Sequence, residues 1–252
     1  MKSVRVFPDS EELADEIARS WCEQVKKAVN NNNTFSVVLS GGDQDPKLYG
    51  GLAEPKWRDC ISWESVHVFF ADERCVPPDD KDSNYKTICG HLLDHVPIPK
   101  KFIYRMYGEG DPKKESLRYA EKIQNYMTLR KEKGCIFDWT FLGVGSDGHT
   151  ASLFPGHNMK NLNKLCEVTK HPMTDQHRIT LTPLAINNSR RITYHAIGKK
   201  KAEIVFKLAT DSSVSNLLPA AEIQGEWFLD KEAASRLNLD LINELSKTNN
   251  CY

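Results

Sequence analysis

The chain has 252 residues, with 34 basic and 34 acidic side chains and a formal net charge of zero. That balance argues against a global nucleic-acid or membrane footprint while leaving room for a local basic pocket, and the length suits one α/β domain with a sizeable core. Seven cysteines, at 22, 60, 75, 89, 135, 166 and 251, form no C-x-x-C pair, so reduced thiols are expected rather than a disulfide framework or a zinc site. Met1 to Phe7 is too short and too charged for a signal peptide, and no apolar run has membrane-spanning length, which points to a cytoplasmic protein.

Ser3 to Phe7 alternates like a short strand. Asp9 or Ser10 then caps a helix whose apolar positions Leu13, Ile17, Trp21, Val25 and Val29 share one face, and Asn30 to Asn33 ends it. Phe35 to Leu39 is an apolar strand followed at once by Ser40-Gly41-Gly42 and a helix from about Pro46, an arrangement suited to holding a phosphate on backbone N–H groups. Val66 to Ala71 is a third strand, ending in Asp72-Glu73-Arg74; Asp82 to Tyr85 caps a helix reaching about Leu93. Phe102 to Arg105 reads as a strand and Pro112 to Lys131 as an amphipathic helix with a solvated outer face.

Phe137 to Leu142 is a strand running into Gly143-Val144-Gly145-Ser146-Asp147-Gly148-His149-Thr150, where three glycines make a narrow loop that ends in an acid, an imidazole and a hydroxyl. Cys166 to Thr169, Arg178 to Thr182 and Arg191 to Ile197 follow as strands, with Pro183 at a helix start. Gly198-Lys199-Lys200-Lys201-Ala202 opens a helix through Leu208; three lysines there oppose the dipole at about 0.3–1 kcal/mol each, and a bound anion offsets that. Glu226 to Leu229 is the last strand, before a closing helix from about Lys231. Strands alternating with helices predict one α/β domain with a mostly parallel, Rossmann-like sheet, its core over about 3–237 and a tail at 238–252. Four strand ends then meet at one rim and hold a small anionic, phosphorylated ligand.

Leu39-Ser40-Gly41-Gly42, Asp72-Glu73-Arg74-x-Val76-Pro77, Asp82-Ser83-Asn84-Tyr85, Leu142 to Gly156, Arg178-Ile179-Thr180-Leu181-Thr182, Gly198-x-x-Lys201-Ala202 and Trp227-Phe228-Leu229-Asp230 occur in order. Together they resemble the 6-phosphogluconolactonases of the glucosamine-6-phosphate isomerase/6-phosphogluconolactonase superfamily. The resemblance implies hydrolysis of 6-phospho-D-glucono-1,5-lactone in the pentose phosphate pathway, without metal or organic cofactor; a monomer is expected. It makes His149 the general base, with Asp72 orienting the water or a sugar hydroxyl and Arg74 facing the phosphate or the oxyanion. Arg178 and Lys201 become phosphate ligands, and Gly41, Gly42, Asn84, Asp147 and Thr150 line or support the substrate site. His157, His171 and His177 read as loop histidines, and His67 and His195 as strand residues. One departure is Asp43-Gln44-Asp45 after Gly42, where the family carries small or hydroxylic residues. A carboxylate about 4 Å from a phosphate repels it by roughly 1 kcal/mol even in water, so either these acids point away or phosphate binding is weakened.

Two rival readings differ in class. A glucosamine-6-phosphate deaminase also has glycine loops and Asp-Gly-His, but there Ile-Ala-Phe-Asn-Glu-Pro follows, and here Thr150 to Pro155 replaces it. A non-catalytic relative acting in tRNA handling is the other, and the neutral overall charge gives RNA little to hold.

Overall fold

The computed structural model describes residues 1, 3–42, 45–130, 134–156, 163–211, 213 and 217–247. A seven-stranded parallel sheet is built from β1 (Ser3–Phe7), β2 (Phe35–Leu39), β3 (Val66–Phe70), β5 (Ile103–Tyr104), β6 (Phe137–Leu142), β9 (Ser189–Ala196) and β10 (Glu226–Asp230), in the order β1-β10-β9-β6-β2-β3-β5. The central strands β2, β3 and β6 are buried along their whole length, which is why they read as apolar runs rather than alternating ones.

Two cores lie on the two faces of this sheet. On one, α1 (Ser10–Asn30), α2 (Asp45–Ala53) and α4 (Asn84–Ile88) bury Leu13, Ile17, Trp21, Leu48 and Ile88 against Val37, Val68 and Phe141. On the other, α5 (Pro112–Leu129), α6 (Pro183–Asn187) and α7 (Ala202–Thr210) bury Tyr119, Ile123, Ile186 and Val205 against Val38, Phe69 and Leu142. Local chemistry starts these helices: Asp9 accepts from the N–H groups of Glu11 and Glu12, both at 2.9 Å, Asp111 from that of Lys114 at 2.9 Å, and Thr182 stands before Pro183 as the cap of α6.

The chain leaves β2 toward β3 and β5, then returns to β6 on the other side of β2 and runs outward through β9 and β10. The β2–β6 seam is therefore the topological switch point, where a crevice opens beyond the carboxyl ends of the strands. The pairing there is short, Val37 with Trp139 and Val38 with Thr140 only, so the strands part before their loops begin.

Several expectations shift. Asp72–Arg74 is not the charged end of β3 but a separate strand, β4, which joins β8 (His177–Leu181) and β7 (Cys166–Lys170) in an antiparallel three-stranded sheet. His177 thus belongs to a strand, not a loop. The helix expected to reach Leu93 gives way at Cys89 to a single π-helical turn, and the closing helix begins at Leu239, inside the segment expected to be a tail, rather than at Lys231. Val29 is 37% exposed, off the buried stripe of α1. His157, Asp43 and Gln44 lie outside the described residues, and Asp45 begins α2. No helix among the described residues is long and apolar enough to cross a membrane.

Candidate active site

A cavity of about 210 Å³ occupies the switch point, walled by Ser40, Gly41 and Gly42 after β2, by Gly143, Val144, Gly145, His149 and Ala151 after β6, by His195 and Lys201 around the end of β9, and by Arg74 of β4. A larger hollow of about 460 Å³, lined by Lys27, Phe35, Asp138 and Arg190, lies at the opposite, amino ends of β2 and β6. Its size does not make it the active site: ligands of open parallel sheets bind beyond the carboxyl ends, and of the two it is the smaller cavity that gathers two imidazoles, two cations and two glycine loops.

The loop after β6 is folded to present His149. The Gly145 N–H donates to the His149 carbonyl at 2.8 Å and the Gly148 N–H to the Gly145 carbonyl at 3.0 Å, with Gly148 in the left-handed region at φ +84°. A Cβ on Gly145 would fall onto the His149 ring and the Asp147 carboxylate, so only glycine leaves room for that pair. Asp147 Oδ1 lies 2.6 Å from His149 Nδ1 and also accepts from the His149 backbone N–H at 3.2 Å. This contact puts the Nδ1 proton toward the carboxylate and leaves Nε2 as the basic nitrogen. Partial burial pushes the Asp147 carboxyl up, but the hydrogen bond and charge of His149 outweigh it and hold it below its ordinary value.

Arg74 and Arg178 are directly opposed across the β4–β8 pair. Like charges in that register oppose each other. Burial, with Arg74 as the nearest positive neighbour, holds Arg178 below its ordinary value. Arg74 donates through Nη1 to the Asp82 carbonyl at 2.5 Å, yet the Nε atoms of both arginines are buried without a partner, as is the Ser40 hydroxyl on the cavity wall. Buried donors without partners are costly, and an anion seated between two guanidiniums satisfies them bidentately.

The expected site residues divide into wall and scaffold. His149, Arg74, Lys201, Gly41 and Gly42 line the cavity; Lys201 Nζ reaches across to the Val144 carbonyl at 2.7 Å. Asp147 backs His149. Thr150 is buried, its hydroxyl bound to the Gly143 carbonyl at 2.9 Å, so it closes the loop rather than lining the cavity. Asp72 and Asn84 also sit behind the wall: Asp72 accepts from Ser152 Oγ at 2.6 Å and from Asn84 Nδ2 at 3.2 Å, and Asn84 fills the space that a side chain at Gly41 would need. Glu73 turns inward and accepts from the backbone N–H groups of Asn84 and Tyr85, both at 2.8 Å, fixing the start of α4; burial pushes its carboxyl above the ordinary range.

Four further residues shape the site without having been assigned a role of their own. Ser40 and His195 stand on the cavity wall, and Ser152 anchors the His149 loop. His171, in a loop as expected, packs edge-on against Phe154 at 5.2 Å, and the His149 ring lies 5.1 Å from the same ring. Ser40, named with the glycine loop after β2, and His195 both carried a signal in their place at the carboxyl end of a parallel strand.

The sequence profile described as Glucosamine-6-phosphate isomerases/6-phosphogluconolactonase matches residues 8–229. A 6-phosphogluconolactonase of Haemophilus influenzae is 35% identical over 236 residues, which span 92% of this chain and 98% of that protein. A probable 6-phosphogluconolactonase 4 of Arabidopsis thaliana is 36% identical over 248 residues, spanning 92% and 94%. Among solved structures, the devB protein superposes with a TM-score of 0.87 at 33% identity, covering 94% of this chain and 99% of that one. The Thermotoga maritima 6-phosphogluconolactonase superposes at 0.76 with 27% identity, covering 91% and 99%. A monomeric glucosamine-6-phosphate deaminase shares the fold, with a TM-score of 0.77 at 21% identity. With a family profile spanning most of its length, the chain belongs to the glucosamine-6-phosphate isomerase/6-phosphogluconolactonase family.

Proposed function

We propose that this protein hydrolyses 6-phospho-D-glucono-1,5-lactone to 6-phosphogluconate, with His149 as general base. The observation that carries the reading is the His149–Asp147 pair, 2.6 Å apart, facing a cavity that also holds Arg74 and Lys201. The 6-phosphogluconolactonases among its relatives, at about a third identity, support the substrate.

A δ-lactone is an activated ester, so the protein has to position a water, remove its proton and stabilise the oxyanion. His149 Nε2 takes a proton from water as the water oxygen bonds to the lactone C1. The carbonyl electrons move to oxygen, and that oxyanion lies among Lys201 and the N–H groups of the glycine loops. The intermediate collapses by breaking the bond from C1 to the ring oxygen, which receives the proton back from His149. The Arg74–Arg178 pair holds the 6-phosphate dianion, and Asp147 keeps the imidazole in the tautomer that leaves Nε2 free. We extend this reading to a cytoplasmic monomer, which fractionation and sedimentation velocity test.

The decisive experiment follows freshly generated lactone against its spontaneous opening. His149→Ala is expected to lower kcat by on the order of 10²–10⁴. A loss under tenfold rejects the base, and ammonia release from glucosamine 6-phosphate would transfer the assignment to the deaminase branch.

A further inference from the structure

Resting on the assignment of His149 as the base, we infer that Asp72 and Ser152 form a buried clamp that positions the His149 loop, with Asp72 acting through Ser152 and Asn84 rather than on the substrate. The turn after His149 is strained. Ala151 stands on the cavity wall with φ +48°, a left-handed conformation that a residue bearing a Cβ adopts only when its surroundings impose it.

The imposing residue is its neighbour Ser152, which is fully buried and has every polar group engaged by a different strand. Its hydroxyl donates to Asp72 of β4 at 2.6 Å, its N–H to Thr180 Oγ1 of β8 at 3.2 Å, and its carbonyl accepts from Thr169 Oγ1 of β7 at 3.0 Å. On the other side, Thr150 and Leu153 close the turn with reciprocal backbone bonds of 3.3 and 2.9 Å. The second oxygen of Asp72 takes the Asn84 carboxamide at 3.2 Å, and Asn84 abuts Gly41. One carboxylate therefore fixes both walls of the cavity, the glycine loop after β2 and the histidine loop after β6. Because Asp72 is buried and is not among the lining residues, its route to the chemistry runs through those two partners. A network with every member satisfied rigidifies what it touches.

The test compares Asp72→Ala, Asp72→Asn, Ser152→Ala and the double variant Ser152→Ala/Ala151→Gly by steady-state kinetics, pH profile and thermal unfolding. Asp72→Ala and Ser152→Ala are each expected to lower kcat by about 10², the scale of a small misplacement of a reacting group, with KM within threefold and the acid limb unmoved. Asp72→Asn can keep both hydrogen bonds without the charge and is expected to recover to within tenfold of wild type. Adding Ala151→Gly removes the backbone strain that Ser152 imposes, and is expected to restore at least threefold of what Ser152→Ala loses. Asp72→Asn as impaired as Asp72→Ala would show that the carboxylate charge itself is used, and a rise in KM at constant kcat would show a substrate contact; either overturns the clamp. No recovery by Ala151→Gly overturns it too. If Asp72→Ala does not fold, Ser152→Ala and Asp72→Asn still decide. His149→Ala measured alongside keeps the two readings apart, since its retention of activity would reject the base and not the clamp.

Discussion

Gly145 illustrates how much of the site rests on a missing side chain. A methyl there would meet the His149 ring and Asp147 together, so the pair must move or the loop must open. Gly145→Ala is expected to fold, with a circular dichroism spectrum like that of wild type, and to lose about 10² in kcat, the scale of a misplacement near 1 Å. Near-wild-type turnover would mean that the imidazole works from another position. The pH profile provides a second check at this scale. Asp147 is held below the usual carboxylate range by His149, so it is ionised throughout the range in which an imidazole titrates. The acid limb of kcat should therefore be the same in Asp147→Asn as in wild type; a limb that loses a proton equivalent in that variant would assign Asp147 to the titration.

At the scale of elements, β4 and β8 carry the two arginines proposed to hold the phosphate. Their pairing sets Arg74 against Arg178, an arrangement that opposes itself until a dianion lies between the guanidiniums. Inorganic phosphate is expected to raise the Tm of the wild type; Arg178→Met should abolish that increase and raise KM for the phosphorylated lactone at least tenfold. A phosphate-dependent Tm that survives the substitution would move the phosphate elsewhere. β3 makes a different prediction. Burial, with some contribution from Arg130, lowers His67 to about 4. Between the ordinary imidazole value and about 4 the unfolded chain binds a proton that the folded chain refuses, so stability falls as pH drops through that window. The full shift corresponds to on the order of 3 kcal/mol at its acid end. Urea titrations at a series of pH values should show the slope, and His67→Gln should flatten it.

For the molecule as a whole, the seam between β2 and β6 is closed at one end and open at the other. At the amino ends, buried Asp138 accepts from the Ser36 N–H at 2.8 Å and the Ser36 hydroxyl at 2.9 Å, and it pairs with Arg130 at 2.7 Å. At the carboxyl ends nothing comparable bridges the two strands among the described residues, and the cavity lies there. Removing one member of a buried pair leaves an uncompensated charge, so Arg130→Met should cost about 3–5 kcal/mol of unfolding free energy while leaving KM for the lactone unchanged. A variant as stable as wild type would show that Asp138 is satisfied without the guanidinium. The alternation of strand and helix, the caps at Asp9, Asp111 and Thr182, and the glycine-rich turn bearing His149 were all determined by the sequence itself, because each depends on residues within a few positions of one another. The tertiary structure alone decided that Asp72 to Arg74 leaves the main sheet for a second one, that Arg74 is paired with Arg178, and that Asp72 holds Ser152 and Asn84 behind the cavity wall. It also decided that His195 reaches the cavity. Antiparallel pairing between distant segments leaves no periodicity in either one, and a buried carboxylate reads in sequence just as a catalytic one does until its hydrogen-bond partners are seen.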